Sequence, residues 1–285
     1  MGATGLVPPS AGGYVIWQGA SLLDGAPIVA IATGVAGSGS ENSKTGAMIQ
    51  TWILRADMDP ERARHAGADY SICGDCTHRG RIAEAHPTTG KLANELGRFG
   101  GRLAHGLPTR NVGRTCYVTV IQAPLTIYRA WKRGVYPNVD SRPGISSIGA
   151  DRNVRIGSYG DPAAVPGWVW RALTSRCASN TGYTHQWRGM GSGPGLRDVL
   201  MASVDGANEA VDAVDAGWRY FRVREAGESI GSGEVVCPAS EEGGHRTKCD
   251  RCTLCSGTFR PARNPVIAAH GSAGRKFRAL QMVGG

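Results

Sequence analysis

Four cysteines near the C-terminus have the spacing of ligands for a single metal centre. Cys249, Cys252 and Cys255 are each separated by two residues, and Cys237-Pro238 lies eleven intervening residues upstream. A two-residue spacing lets two thiolates reach one centre across a tight turn, and the triple run matches the spacing in bacterial ferredoxins. One [4Fe–4S] cluster bound by all four cysteines is therefore the simplest interpretation.

Two alternatives remain open for this C-terminal set. Zinc tolerates similar spacings, although zinc ligands more often come as two separated Cys-x2-Cys pairs. A cysteine cluster without a metal is the other alternative. The cations Arg246, Lys248 and Arg251 would offset the negative charge of an iron–sulfur cluster. We therefore favour iron–sulfur over zinc.

A second group of cysteines lies closer to the N-terminus. Cys73 and Cys76 form a pair, His78 follows, and Cys116 comes forty residues after Cys76. Three cysteines can hold an iron–sulfur cluster while one iron stays open to another ligand. With His78 as a fourth ligand, the same residues would form a closed Cys3His zinc site. Cys177 stands alone in a predicted helix and is interpreted as a core residue.

Polar residues at the ends of predicted strands form a third group. Gly160 and Asp161 lie between a strand and a helix, where glycine allows close backbone approach and Asp161 offers an acceptor for an amino group. Helix capping by Asp161 is the structural alternative. His185 and Asp205 end two further strands, which predicts that both lie on one rim of the sheet.

Strand and helix patterns alternate along the chain. Strands are predicted at 27–32, 48–54, 115–121, 153–158, 181–187, 199–204, 218–223 and 265–269, and helices near 59–60 and at 165–178 and 207–216. Such alternation is typical of βαβ units around a parallel sheet. We predict the α/β class, as a full or partial (β/α) barrel with cysteine-rich metal-binding loops and with its chemistry on the loops that follow the strands.

The predicted domain organisation is simple. Residues 1–40 are expected to form an irregular N-terminal arm, because they are rich in glycine, alanine and proline. Residues 41–285 are expected to form a single α/β barrel-like domain that carries the C-terminal cysteine cluster at 237–255.

Composition and charge exclude several classes of protein. Hydrophobic residues make up 41% of the 285 residues and charged residues 19%, which is typical of a folded protein. No apolar run is long enough to cross a bilayer and no secretory signal is evident, so we expect no membrane partner and a cytoplasmic location. Phosphate-loop and nucleophile-elbow motifs are absent. The net charge of +9 makes nucleic acid a candidate partner, with a basic enzyme as the equal alternative.

The order of these motifs resembles an uncharacterised family of cysteine-rich tailed-phage proteins, the Gene 88 protein type. The shared features are Asn42-Ser43-Lys44-Thr45-Gly46, Cys73, Cys76, Cys116-Tyr117, Tyr183-Thr184-His185 and the cysteines of the C-terminal set. The resemblance covers residues 40 to 270. It implies a phage or prophage origin, hence the host cytoplasm, and no established activity.

A more distant resemblance is to radical S-adenosylmethionine (SAM) enzymes. Tyr117 after Cys116 resembles the aromatic residue that follows the last cysteine of that superfamily's cluster motif, and the loop 159–162 resembles its Gly-Gly-Glu-Pro-like loop. The resemblance implies that Tyr117, Gly160 and Asp161 lie at a SAM site, with Gly160 and Asp161 against the amino group. It departs from that superfamily in lacking Cys-x3-Cys-x2-Cys.

Two functional hypotheses follow from these patterns. The first is a radical-SAM-like iron–sulfur enzyme with an open cluster at the N-terminal cysteines, a closed cluster at the C-terminal set, and an unknown substrate. The second is a protein without catalytic activity, in which zinc holds both cysteine sets and the basic surface binds nucleic acid.

Overall fold

The computed structural model describes residues 11–37, 40–42, 44–84, 109–189, 196–258 and 260–269. Within these ranges the strands are β1 (Gly13–Ala20), β2 (Pro27–Thr33), β3 (Ser40–Asn42), β4 (Gly46–Arg55), β5 (Arg81–Glu84), β6 (Thr109–Val112), β7 (Asn153–Tyr159), β8 (Ser179–Thr184), β9 (Met201–Val204), β10 (Tyr220–Arg224), β11 (Glu234–Val236) and β12 (Asn264–Ala268). The α-helices are α1 (Pro60–Ala66), α2 (Tyr70–Cys73), α3 (Ala123–Lys132), α4 (Arg142–Gly149), α5 (Gly167–Thr174), α6 (Ala207–Asp215) and α7 (Cys249–Cys252). Three parts of the predicted features lie outside the described residues: residues 1–10 of the predicted arm, Ser43 of the motif at 42–46, and residues 270–285 of the predicted domain.

One large, mostly parallel sheet organises the described part of the chain. Its strand order is β1-β2-β4-β7-β8-β9-β10-β12-β11, with β3 paired to β4, while β5 and β6 form a separate antiparallel pair. β2 pairs antiparallel with both β1 and β4, and every later pair of neighbours in the order is parallel. The α/β class is therefore confirmed. The order has two ends, and among the described strands no pairing joins β1 to β11 to close a barrel.

The two faces of the sheet are covered by different material. Val154 and Ile156 of β7 pack in the main core with side chains of α4 and α5, such as Ile145 and Trp170. Because successive side chains of a strand point to opposite faces, Arg155 faces the other way. On β10, Phe221 and Val223 instead pack against Cys237, Ile267 and Cys249. The C-terminal cysteine segment therefore packs in a separate cluster at β10, whereas α4 and α5 pack in the main core at β7.

The predicted irregular arm is wrong: residues 13–20 form β1, and the strand predicted at 27–32 within the same range is confirmed as β2. β1 and β2 form an antiparallel pair, and β2 continues into the large sheet by pairing with β4. The glycines that argued against a strand lie where backbone or ring approaches closely: a Cβ on Gly13 would lie 2.6 Å from Ala32 O, and one on Gly19 would lie 2.7 Å from the Trp17 ring. Glycine is needed there for space, so its abundance does not indicate a loop.

The predicted strand at 115–121 is also wrong. The amides of Thr115 and Cys116 both donate to the carbonyl of His78, at 3.1 Å and 2.9 Å. The segment is therefore joined to the first cysteine loop and has no strand partner, although its β-branched sequence favours a strand. Cys177 follows α5, which ends at Thr174, and packs partly buried against the main core.

The remaining predicted elements are confirmed to within a few residues. α1 begins as expected, with Asp59 accepting from the amides of Glu61 and Arg62 and with Pro60 at its first position. The helices after β7 and β9 connect parallel neighbours, as βαβ units require. No helix in the described ranges is long and apolar enough to span a membrane.

Candidate metal centre

The N-terminal cysteines converge from two distant segments. Cys73 ends α2, and Gly74, with a φ of 53°, turns the chain so that Cys76 precedes a 3-10 turn at Thr77–Arg79. A Cβ on Gly74 would lie 2.6 Å from the Gln186 amide, so this turn needs glycine. Cys116 arrives through its amide bond to His78 O. The three thiols lie close enough to perturb one another's ionisation.

Burial keeps these thiols protonated when no cation is bound. It raises the pKa of Cys73 well above its ordinary value, that of Cys76 to about 11, and also that of Cys116. Backbone N–H groups of His78 and Val118 donate to the sulfurs of Cys76 and Cys116, which favours the thiolate. Metal binding must therefore release protons here, and the amide donors are already in place for bound thiolates.

A buried cation lies beside this N-terminal set. Arg114 has its pKa raised despite burial, because Cys116, Tyr159, Cys73 and Asp69 favour its charge. Its Nη1 lies 3.5 Å from Asp69, which also receives a bond of 2.9 Å from Arg79. This arrangement partly offsets the negative charge of bound thiolates.

The predicted cofactor loop lies against the N-terminal cysteines. The amide of Asp161 donates to the carbonyl of Ile72, the residue before Cys73. Gly160 has a φ of 85°, and a Cβ there would lie 2.7 Å from Ile53 Cβ. Glycine is therefore required for this loop to pack against Ile53 and Ile72, next to the N-terminal cysteines.

The predicted role of Asp161 toward an amino group is not supported. Its carboxylate accepts from Ala163 N at 2.9 Å, from the Thr184 hydroxyl at 2.7 Å and from His185 N at 2.7 Å. The side chain is buried, and burial raises the pKa of Asp161 while His185 and the donors oppose this. The capping alternative is confirmed, since Asp161 is the N-cap of the 3-10 turn at Pro162–Ala164.

Replacing Asp161 with alanine is expected to lower the free energy of unfolding by about 2–4 kcal/mol, because the buried Thr184 hydroxyl and His185 N–H would lose their acceptor. Urea unfolding measures this change. The matched control is Asp57→Ala, which removes an exposed ion pair with Arg55 and should cost less than about 1 kcal/mol. Equal effects of the two substitutions would contradict the anchoring role.

Tyr117 is exposed rather than enclosed in a pocket. Its side chain is 74% exposed, and its hydroxyl accepts a bond of 2.9 Å from Arg155 Nη2. Arg155 in turn lies near Cys249 and Cys255, and these neighbours raise its pKa although burial lowers it. Tyr117 therefore connects, through Arg155, the segment of Cys116 with the C-terminal cysteines.

The histidines differ from the predicted zinc arrangement. The two ring nitrogens of His78 contact the Thr115 hydroxyl at 2.7 Å and Asp205 at 3.0 Å, so His78 does not complete a Cys3His site. His185 instead places Nε2 3.7 Å from the sulfur of Cys76. The predicted common rim of His185 and Asp205 is confirmed, since the His78 ring contacts both.

The segment of the C-terminal cysteines is bound to residues Lys44–Ala47, which are called here the docking strip. The amides of Cys249 and Asp250 donate to Lys44 O and Thr45 O, and the Asp250 carboxylate accepts from Ala47 N. Lys44, Thr45 and Gly46 of this strip are part of the motif on which the phage-family resemblance rests. Gly46, with a φ of 72°, leaves the space that the Asp250 carboxylate occupies.

The sulfurs of this C-terminal set share one environment. Cys237 receives backbone N–H bonds from Ala239 and Ser240, and Cys255 receives the Tyr183 hydroxyl. Burial raises the pKa of Cys255 to about 12, with the other three cysteines adding to it. Lys44 near Cys237, and Lys44 and Arg155 near Cys249, favour the thiolates.

No three cysteine sulfurs in the described part of the chain lie as close together as three ligands of one zinc ion. Thiolates that share one zinc ion lie about 3.8 Å apart, because Zn–S bonds of ~2.3 Å are arranged tetrahedrally. All seven candidate cysteines are described, yet among the described residues no three cysteine sulfurs lie within 4.8 Å of one another. One other trio does meet that limit: His78, His185 and Asp205.

The cations beside the two cysteine sets are not apparent from the sequence. Arg155 lies on an alternating strand, and Arg114 precedes Cys116, so both were indistinguishable from surface arginines. A cation directly beside a metal-ligand motif was the available signal for Arg114. Comparison with protein-family models, curated proteins and solved structures finds no match for this chain. The two family resemblances therefore stay predictions.

Proposed function

We propose that this chain is an iron–sulfur enzyme of phage or prophage origin, related in design to radical SAM enzymes. Cys73, Cys76 and Cys116 would hold one [4Fe–4S] cluster with an open iron. The second, closed cluster would be held by Cys237, Cys249, Cys252 and Cys255. The observation that carries the proposal is the convergence of three partly buried cysteines, from segments forty residues apart, near the Gly160 loop.

The site lies where parallel sheets place their chemistry. Asp161, His185 and Asp205 follow β7, β8 and β9, so the first cysteine set lies at the carboxyl edge of these strands. SAM bound at an open iron would supply radical chemistry that amino-acid side chains cannot perform. The protein's own part is to bury the thiolates, to offset their charge with Arg114, and to fix the neighbouring loop through Asp161.

The triple run of Cys249, Cys252 and Cys255 favours this proposal over zinc in the C-terminal set, because zinc ligands more often come as two separated pairs. Much of the basic charge also has internal partners, which weakens the argument for a nucleic-acid surface. Arg152 and Arg219 donate to backbone carbonyls, and Arg222 pairs with Glu234. Binding to nucleic acid stays a prediction.

Anaerobic purification is expected to give a brown protein with about eight irons and eight acid-labile sulfides per chain, which is the content of two [4Fe–4S] clusters. Metal analysis and sulfide assay measure these values. Zinc in place of iron, without sulfide, would overturn the proposal. A colourless chain that takes up neither iron nor sulfide under reducing reconstitution would also overturn it.

A further inference from the structure

Two imidazoles and one carboxylate meet beside the N-terminal cysteines. His78 comes from the first cysteine loop, His185 follows β8 and Asp205 follows β9. Their ligand atoms all lie within 4.8 Å of one another, and the His78 and His185 ring centroids are 5.7 Å apart. Two donor atoms that bind one ion at ~2.1 Å lie at most about 4.2 Å apart, so only small side-chain movements would bring these three onto an ion.

The outer partner of His78 has the pattern found at metal sites, and His185 has a carboxylate near its second nitrogen. Nδ1 of His78 contacts the Thr115 hydroxyl at 2.7 Å, and Nε2 faces Asp205. Nδ1 of His185 lies 3.9 Å from the buried carboxylate of Asp161, and its Nε2 points toward Cys76. A histidine that ligates a metal through one nitrogen is usually oriented through the other by a hydroxyl, carbonyl or carboxylate.

The carboxylate is held in a matching way. The second oxygen of Asp205 accepts the Thr77 hydroxyl at 2.8 Å, and the backbone amide of Asp205 donates to Glu209. The side chains of His78, His185 and Asp205 are only 15%, 22% and 17% exposed. The trio is therefore partly enclosed and fixed from outside, unlike a group of surface charges.

We propose that His78, His185 and Asp205 form a mononuclear site for a divalent transition-metal ion, Zn²⁺ or Fe²⁺, separate from the cysteine-bound clusters. Two imidazoles and one carboxylate are a donor set for these ions, and they leave coordination positions open. An ion there would bind and polarise an oxygen atom of a substrate at the carboxyl edge of the parallel strands.

Cobalt titration of the full chain tests this site. The protein is treated with chelator, Co²⁺ is added anaerobically, and binding is followed by visible absorption and equilibrium dialysis. His185→Gln and Asp205→Asn are each expected to weaken Co²⁺ binding at least ~100-fold, and Thr115→Val, which removes an outer partner, about 10-fold. The Thr115 variant leaves all three ligands in place, so it remains informative if a ligand variant is unstable.

Two controls separate this site from the clusters. His245→Asn replaces an exposed histidine elsewhere and should leave Co²⁺ affinity unchanged. Cys73→Ser removes a proposed cluster ligand and should also retain this Co²⁺ binding. Co²⁺ held by two imidazoles and a carboxylate lacks the sulfur-to-cobalt charge-transfer absorption of Co²⁺ bound to cysteines, so the spectrum separates the two kinds of site. The proposal is overturned if Co²⁺ fails to bind, if Thr115→Val, His185→Gln and Asp205→Asn all bind it normally, or if Cys73→Ser abolishes binding.

Discussion

Replacing Cys116 with serine is expected to remove about four irons and four sulfides, one [4Fe–4S] cluster, and to abolish any effect of SAM on the electron paramagnetic resonance spectrum of the reduced protein. Cys116 supplies the third thiolate of the proposed open cluster, and serine is a much weaker ligand. The backbone bond from residue 116 to His78 O does not involve the side chain, so the segment should stay in place.

The control for this experiment is Cys177→Ser. Cys177 is also partly buried and its pKa is raised to about 11 by burial, yet it packs against the main core and no other cysteine contributes to that shift. This variant should keep its full iron content and its spectral response to SAM. If Cys116→Ser behaved in the same way, Cys116 would not be a ligand and the open cluster would be ruled out.

The sequence predicts which cysteines are candidate ligands but not what surrounds them. Two-residue spacing indicates Cys73, Cys76 and the C-terminal trio, because such pairs act within one turn of the chain. The approach of Cys116 depends on a backbone bond to His78, between segments far apart in sequence. Hydrophobic periodicity carries no information on a contact between distant segments. The β-branched residues of 115–121 predicted a strand for this reason, although the segment is held by the His78 carbonyl instead.

The fold shows the same division between local and distant information. The βαβ alternation after residue 150 predicted β7 to β10 and the helices between them, since each unit is defined by its own hydrophobic pattern. β1 was missed because its glycines are explained only by the neighbouring backbone and by Trp17. Asp161 was assigned to a ligand, whereas its partners Thr184 and His185 lie on the next strand and just beyond it.

Replacing Cys252 with serine is expected to remove about four irons, one cluster's content, and to loosen the C-terminal segment. α7 is only four residues long and buries no side chain, so its own packing contributes little stability. A bound cluster would therefore be the main connection among the four cysteines. A loss of about 3 kcal/mol would lower Tm by roughly 6–12 °C, which calorimetry and limited proteolysis of residues 237–258 would detect.

Asp250→Asn separates loss of the cluster from loss of docking. Asp250 lies between two of the cysteines, and its carboxylate accepts the amide of Ala47. An amide side chain should weaken this contact and lower Tm while leaving the iron content unchanged, because no proposed ligand is altered. Wild-type iron content together with a wild-type Tm in Cys252→Ser would show that this cysteine binds no metal, and the assignment of a four-cysteine cluster would then be wrong.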